Sequence, residues 1–340
     1  MVVMLLVFLL GLGFALNALN NGYPGLLQET VRLPGLDDAL EGFRILHLSD
    51  LHAAEFGTAQ ERVKRLLSDN TYQAVCLTGD MVGISGNVQP LLDLIDVFPD
   101  DVPVYLIAGD NDPQPLEMKA HGDSAVKAGY ILAAEQHGAV YLDSPQKITR
   151  EKSVIWFSPA SLYTTDLQAA AFALTQRKAE LDASGEANTP DGGAAARMVD
   201  YQLQTLALTR DASALMQPQD TYILLGHYPL DATAISQLHQ GEREARKAVN
   251  FPGTVSLILA GHWNNGQWRL PFVGPLWVPG SMMGGLQGWL PGDGAISGMA
   301  PVHAVYEYIS PGLGASGAYP WQPMRLMNKP QMTILKLSAK

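Results

Sequence analysis

The chain has 340 residues, 47% hydrophobic and 16% charged, which suits one large α/β domain with a real core and excludes a disordered chain or a coiled coil. Lys and Arg total 22 against 33 Asp and Glu, a formal charge of -11 that argues against non-specific binding to nucleic acid. The single cysteine, Cys76, excludes an intrachain disulfide and a cysteine-rich metal site.

Met1 to Leu16 holds no charged or strongly polar residue, and the first charge is Glu29. Twenty helical residues span about 30 Å, close to the hydrocarbon thickness of a bilayer. Residues 1–20 therefore read as a transmembrane anchor or an uncleaved export signal, with a cleavable signal or a buried helix as the alternatives. No Lys or Arg precedes the apolar run, so charge does not set an orientation. Residues 21–42 read as a linker and entry segment: NNGYPG is polar and turn-rich, and Leu26 to Gly42 is expected to form an entry strand and loop. Phe43 to Ser49 is a short apolar run suited to a buried strand, and Gln60 to Ser68 has helical spacing.

Further strands are expected at Ala74 to Thr78, Val102 to Ala108, Ser153 to Ser158, Thr221 to Leu225 and Val255 to Ala260, with a helix at Leu91 to Val97. This alternation predicts an α/β fold with polar residues gathered at the strand ends. Leu162 to Leu181 is expected to be mostly helical, DASGEANTPDGG a loop and Ala194 to Leu215 a second helix, together an insertion at about 162–215 within one domain over 43–337. From Phe251 onward, frequent Gly and Pro argue against long helices.

Five short strings stand where strands end: Asp50-Leu51-His52, Gly79-Asp80, Gly109-Asp110-Asn111-Asp112, Gly226-His227 and Gly261-His262-Trp263-Asn264. In an extended exit, residues i and i+2 project to one side, so Asp50 and His52 are expected to chelate one ion together. A glycine before Asp80, Asp110, His227 and His262 lets the backbone turn sharply there. Asp oxygens with His nitrogens suit Zn, Mn or Fe, and in open sheets such sites gather at the carboxyl ends of strands. Each string alone also fits a turn, a helix cap or a satisfied core histidine; five in order point to a metal centre.

These strings resemble the calcineurin-like metallophosphoesterases, especially their membrane-associated bacterial branch, whose pattern runs DxH, GD, GNH with an acidic residue, GH and GHxH. LSDLH, LTGD, AGDND, LLGH and LAGHWNNGQ stand at those places. GQWRLPFVGPLWVP (Gly266 to Pro279) and ISPGLGASG (Ile309 to Gly317) resemble later segments of the branch. The resemblance, over about residues 40 to 337, implies a four-layer αββα sandwich of two mixed sheets with flanking helices and two divalent metal ions (Mn, Fe, Zn or Mg) at the strand ends. It implies that Asp50, His52, Asp80 and Asn264 hold one ion, and that Asp80, Asp110, His227 and His262 hold the second. It further implies hydrolysis of a phosphomonoester, phosphodiester or pyrophosphate bond by a metal-activated hydroxide, on a phosphorylated small molecule or lipid, with the catalytic domain outside the cytoplasm.

Three positions depart from that pattern. Asp110 stands where the family has Asn; two divalent ions (+4) against Asp50, Asp80, Asp110 and a hydroxide (-4) then leave no net charge, where the usual Asn leaves +1. Asn264 replaces the last His of GHxH, so the first ion is expected to be weaker and harder, favouring Mn or Mg over Zn. Asn111 replaces the family His; as a catalytic group it offers an amide hydrogen bond to a phosphoryl oxygen but no proton, a loss of roughly 10²–10⁴-fold where a leaving group needs one. Asp112 is expected to orient its loop. The competing reading of these changes is a catalytically weak or inactive metal-binding or partner-binding member of the same fold.

Trp263, Trp268, Trp277 and Trp289 with Met282 and Met283 are expected to pack at a sheet edge, or else to form an apolar wall facing a lipid. Arg269 suits an anion or a structural role equally. His47 is expected to be structural. His121, His137, His239 and His303 match no ligand position, and Glu242 to Val249 suits a solvated helix face.

Overall fold

The computed structural model describes residues 1–118, 126–163, 165–230, 255–270, 272–278, 288–289, 296–302, 305–317 and 324–339. One six-stranded sheet contains β1 (Gly25–Arg32), β15 (Gln331–Ser338), β2 (Arg44–Leu48), β3 (Ala74–Thr78), β4 (Val104–Ile107) and β5 (Ala139–Tyr141), in that spatial order. The other contains β13 (Gly298–Val302), β14 (Val305–Ile309), β9 (Val255–Ala260), β8 (Thr221–Leu225), β7 (Ser153–Pro159) and β6 (Gln146–Arg150). A small third sheet is formed by β10 (Trp268–Leu270), β11 (Gly274–Val278) and β12 (Gly288–Trp289).

Alternation along the strands decides the layers. Ile45, Cys76, Tyr105 and Ile107 of the first sheet meet Ile155, Phe157, Ile223, Leu225, Leu257 and Leu259 of the second in one buried cluster, the centre of a sandwich. The intervening residues Leu46, Leu48, Val75, Leu77, Val104 and Leu106 face outward onto helices α2 (Glu61–Leu67), α3 (Gln89–Ile95) and α4 (Gly129–Gln136). Trp156, Tyr222, Leu224 and Ile258 face the other way and meet Tyr163 of α5 (Ala160–Tyr163) and Met216, which follows α7 (Pro190–Leu215). Helices thus cover both outer faces, the expected αββα sandwich.

The insertion is a helical hairpin of α6 (Leu167–Ser184) and α7, and its loop is shorter than the sequence suggests. Asp166 caps α6 by accepting from the Gln168 and Ala169 N–H groups. Thr189 caps α7 by accepting from the Gly192 N–H, with Pro190 in the first turn, so TPDGG starts the helix instead of ending the loop.

Residues 21–42 are built into the domain, since β1 lies parallel to β15 along the sheet edge and Val31, Leu33, Leu36 and Leu40 enter the central core. Because β15 runs antiparallel to β2, while β2, β3 and β4 are parallel, β1 begins at the end of the sheet where β2, β3 and β4 finish. Helix α1 (Val2–Asn21) leads into that end. It is the one helix among the described residues long and apolar enough to cross a membrane, with mean hydropathy 2.6. Its length and composition fit a membrane anchor or a signal segment.

Candidate metal centre

The chain after β2 turns at once. Asp50 and His52 have left-handed backbones, φ 53° and 47°, so they are brought together by a tight turn and not by the extended alternation expected from sequence. Such φ values cost of order 1–3 kcal/mol each and persist only where neighbours over-determine them. Here the Asp50 N–H donates to Gly79 O (3.0 Å), the His52 N–H to Asp80 O (2.8 Å) and the Ala53 N–H to Met81 O (3.1 Å). The first turn therefore lies along the second.

Gly79 has φ 84°, and a Cβ there would fall 2.7 Å from the Gly109 backbone and from His227 Nδ1. At Gly109 a Cβ would fall 2.2 Å from Asp80 Oδ1. Close approach of three loops thus explains these two glycines, whereas at Gly226 the nearest atom that a Cβ would meet among the described residues lies 3.4 Å away. Asp112 sits behind the loops and accepts from the N–H groups of Met81, Val82, Gly83 and Gly109, fastening the 79–83 turn to the 109–112 turn. That is the orienting role expected of it.

Two groups of side chains result, each with ligand atoms within 4.8 Å of one another: Asp50, His52 and Asp80, and Asp80, Asp110, His227 and His262. Asp80 belongs to both. Its Oδ2 lies 3.6 Å from His52 Nε2 and 3.4 Å from His227 Nε2. Asp110 Oδ1 lies 2.9 Å from His227 Nε2 and 3.2 Å from His262 Nδ1. His227 Nδ1 lies 2.8 Å from the Thr78 carbonyl oxygen, to which it donates, so that Nε2 is aimed at the carboxylates. Asp50 accepts from Ser49 Oγ and from the His262 backbone N–H (3.0 Å), linking the first turn to the end of β9.

The field of this cluster favours cations. Burial opposes ionisation of Asp110, yet hydrogen bonds with His227 and His262 hold its carboxyl far below the usual carboxylate range. Burial likewise opposes the charge on His227, and Asp110 and Asp80 override it, raising the imidazole well above its usual range. Asp80 is held low against burial by its hydrogen bond and charge interactions with His227 and His52. Asp50 is raised, chiefly by burial and also by the Asp80 charge. A divalent cation held here would take the place of the proton that these carboxylates favour on His227.

The residues fit divalent ions on a further count. Among the described residues, His52 Nε2 and His262 Nε2 are buried without a hydrogen-bond partner, although a buried imidazole normally satisfies its nitrogens. Three carboxylates and three imidazoles in a shared cluster form a mixed oxygen and nitrogen donor set.

The two asparagines of the altered motifs have other partners. Asn111 donates to Asp80 twice, from its backbone N–H (2.8 Å) and from its amide Nδ2 (2.7 Å). Asn264 is fully buried, and its Oδ1 accepts from Arg325 Nη1 at 3.2 Å. Every N–H of Arg325 is used: the remaining four go to the carbonyl oxygens of Asn328, Gly314, Asn264 and Pro311. Burial pushes this guanidinium down to about 9, against the pull of the Asp50 charge, so it remains a cation at neutral pH. A metal ion touching Asn264 Oδ1 would share that oxygen with a guanidinium.

Arg325, Ser49 and Tyr228 escape sequence reasoning. Arg325 lies 61 residues from Asn264 in a segment without pattern, and Tyr228 packs against His262 at a tilt of 54° with ring centroids 4.4 Å apart. Two residues beyond Tyr228, the Leu230 N–H donates to the buried Glu307 at 2.7 Å, and burial pushes that carboxyl up to about 7. His47 is structural, bonded to Thr78 Oγ1 and edge-on to Tyr308. His137 pairs with Asp96 away from the site. Arg269 is tied to Asn265, and Trp268 packs on Trp277. His121, His239, His303, Met282, Met283 and the stretch Glu242 to Val249 lie outside the described residues.

The profile of the calcineurin-like phosphoesterases matches residues 43–265, well over half of the chain, and the protein belongs to that family. The curated "Uncharacterized metallophosphoesterase YkuE" of Bacillus subtilis (strain 168) is 30% identical over 95 residues, a stretch covering 28% of each protein. Among solved structures, the phosphopantetheinyl hydrolase PptH from Mycobacterium tuberculosis is similar at 13% identity and a TM-score of 0.36, over 79% of this chain and 89% of that one.

Proposed function

We propose that the protein hydrolyses a phosphomonoester, phosphodiester or pyrophosphate bond using two divalent ions, at a membrane to which α1 holds it. The observation that supports this reading best is the pair of ligand groups that share Asp80. Asp50, His52 and Asp80, with Asn264 beside them, would hold one ion; Asp80, Asp110, His227 and His262 would hold the other. When bound, such ions stabilise charge on phosphoryl oxygens and make a water acidic enough to act at neutral pH.

The chain's own residues set the rest. Thr78 aims His227, Asp112 locks the two turns that carry Asp80 and Asp110, and Asn111 orients the shared carboxylate. Asn111 has no proton to give, so a phosphodiester or pyrophosphate bond whose leaving group needs no proton suits the site better than an alkyl ester. Asp110 brings one negative charge more than the family's asparagine, and Arg325 beside Asp50 brings one positive charge back. The positive charge of Arg325 thus lies on the Asp50 side and the added negative charge of Asp110 on the His227 side. Metal identity among Mn, Fe, Zn and Mg follows the donors: the Asp50 side, with one imidazole, suits the harder ions.

A phosphorylated small molecule or lipid is the expected substrate, with the domain outside the cytoplasm and no role for nucleic acid. A second reading, a weak or inactive metal-binding or partner-binding member, draws on Asn111 and Asn264 being engaged by Asp80 and Arg325. Metal content and turnover of p-nitrophenyl phosphate and bis-p-nitrophenyl phosphate separate the two, with Asp80→Ala and His227→Ala as controls. Turnover lost in both variants supports the enzyme; metal without turnover in the wild type supports the second reading.

A further inference from the structure

Beside α1, a second apolar feature stands at the same end of the sandwich. The chain leaves β9 through His262 and Asn264 and enters the β10–β11 hairpin, whose strands pair Leu270 with Gly274. At its tip Phe272 is fully exposed with φ 63°, and Val273 is 66% exposed. A bulky residue gains nothing from the fold there: it meets water on all sides and holds a left-handed backbone that Gly or Asn adopts more easily. Leu270 and Met327 are exposed as well.

The tip is physically joined to α1. Segment 324–328 lies between them: β10 pairs with it through Trp268 and Leu326, and the Arg269 N–H donates to Leu326 O at 2.9 Å. From the other side Asn17 and Asn21 donate to Arg325 O at 2.7 and 2.6 Å, and the Met327 N–H donates to Asn17 Oδ1 at 2.8 Å. These asparagines lie in the last turns of α1, where an apolar helix would leave the hydrocarbon. A surface at that level is at the depth of lipid headgroups.

We propose that the tip of the β10–β11 hairpin, Leu270, Phe272 and Val273, is a second membrane contact that enters the bilayer interface beside α1. The strand ends carrying the candidate metal ligands then face the lipid surface, and a phosphoryl group in the headgroup layer reaches them without leaving it. The proposal rests on the reading of α1 as an anchor. The occupant of this surface is lipid, because the helix bonded to the same segment is the one helix among the described residues fit for hydrocarbon.

The test uses the full-length protein in vesicles of phosphatidylethanolamine and phosphatidylglycerol, with and without brominated acyl chains. Cys76 is buried in the sandwich core, so an introduced cysteine is the one that an environment-sensitive fluorophore labels. Labels are placed at Phe272→Cys, at Val273→Cys as an independent report on the tip, at Leu9→Cys in α1, and at Lys152→Cys at the opposite end of β7. The expected result is blue-shifted emission with strong loss in brominated vesicles at 9, 272 and 273, and neither change at 152. Quenching at 9 without quenching at 272 and 273 overturns the proposal and leaves the anchor standing. No quenching at 9 overturns the anchor and the proposal with it, and equal quenching at 152 overturns the specific contact.

Discussion

The two halves of the candidate centre share a carboxylate but are built differently. On one side Asp80 meets Asp110, His227 and His262, two imidazoles and two carboxylates whose charges reinforce one another. On the other, Asp80 meets Asp50 and His52, and the asparagine expected to join them is already held by a buried guanidinium. A donor set is therefore not read from residue types alone; what a side chain already bonds decides what it has left for an ion. We expect the His227 side to fill first and tightly, and the Asp50 side to fill second and weakly.

The largest expected effect comes from the residue the halves share. Asp80→Asn should empty both sides and lower turnover by more than the roughly 10²–10³-fold that follows loss of one transition-state donor. Metal analysis of the purified variant checks it, and retention of one full equivalent would break the comparison. Arg325→Met should come next. It leaves buried acceptors on Asn264, Gly314, Asn328 and Pro311 without their donor, at ~1–3 kcal/mol for each acceptor left unsatisfied, which denaturant unfolding measures.

Glu307 tests the support behind the His227 side. Its folded pKa of about 7 lies above the usual 4.5, so between these values the unfolded chain has released a proton that the folded chain keeps. Stability should fall as pH rises from 4.5 to 7 and level off above. Glu307→Gln keeps an acceptor for Leu230 and should abolish that fall, gaining up to about 3 kcal/mol at pH 8 by thermal or denaturant unfolding. A smaller effect is expected at Asn264→Asp, which offers Arg325 a counter-ion and the Asp50 side a charged donor. Calorimetric titration should show the weaker ion tightened roughly tenfold, ~1.4 kcal/mol, with the tighter one unchanged.

Much of this arrangement is legible along the chain because its signals are local. The buried strands Ala74 to Thr78, Thr221 to Leu225 and Val255 to Ala260 coincide with β3, β8 and β9, since short β-branched runs ending in Gly, Asp or His leave little other choice. The same ends carry Asp80, His227 and His262, and the fold brings all three together. Three things were not legible. The left-handed turns at Asp50 and His52 depend on backbone bonds to Gly79 and Asp80, in a loop that composition does not connect to them. Arg325 acquires its place only when segment 324–328 closes under Asn264. The early start of α7 at TPDGG depends on a threonine cap that composition obscures behind two glycines.

Electron paramagnetic resonance of the full-length protein with saturating Mn²⁺ tests the shared carboxylate most directly. Two ions held on either side of Asp80 should give an exchange-coupled dimanganese spectrum that Asp80→Asn abolishes. A spectrum of isolated Mn²⁺ alone, or one unchanged by Asp80→Asn, would contradict the account.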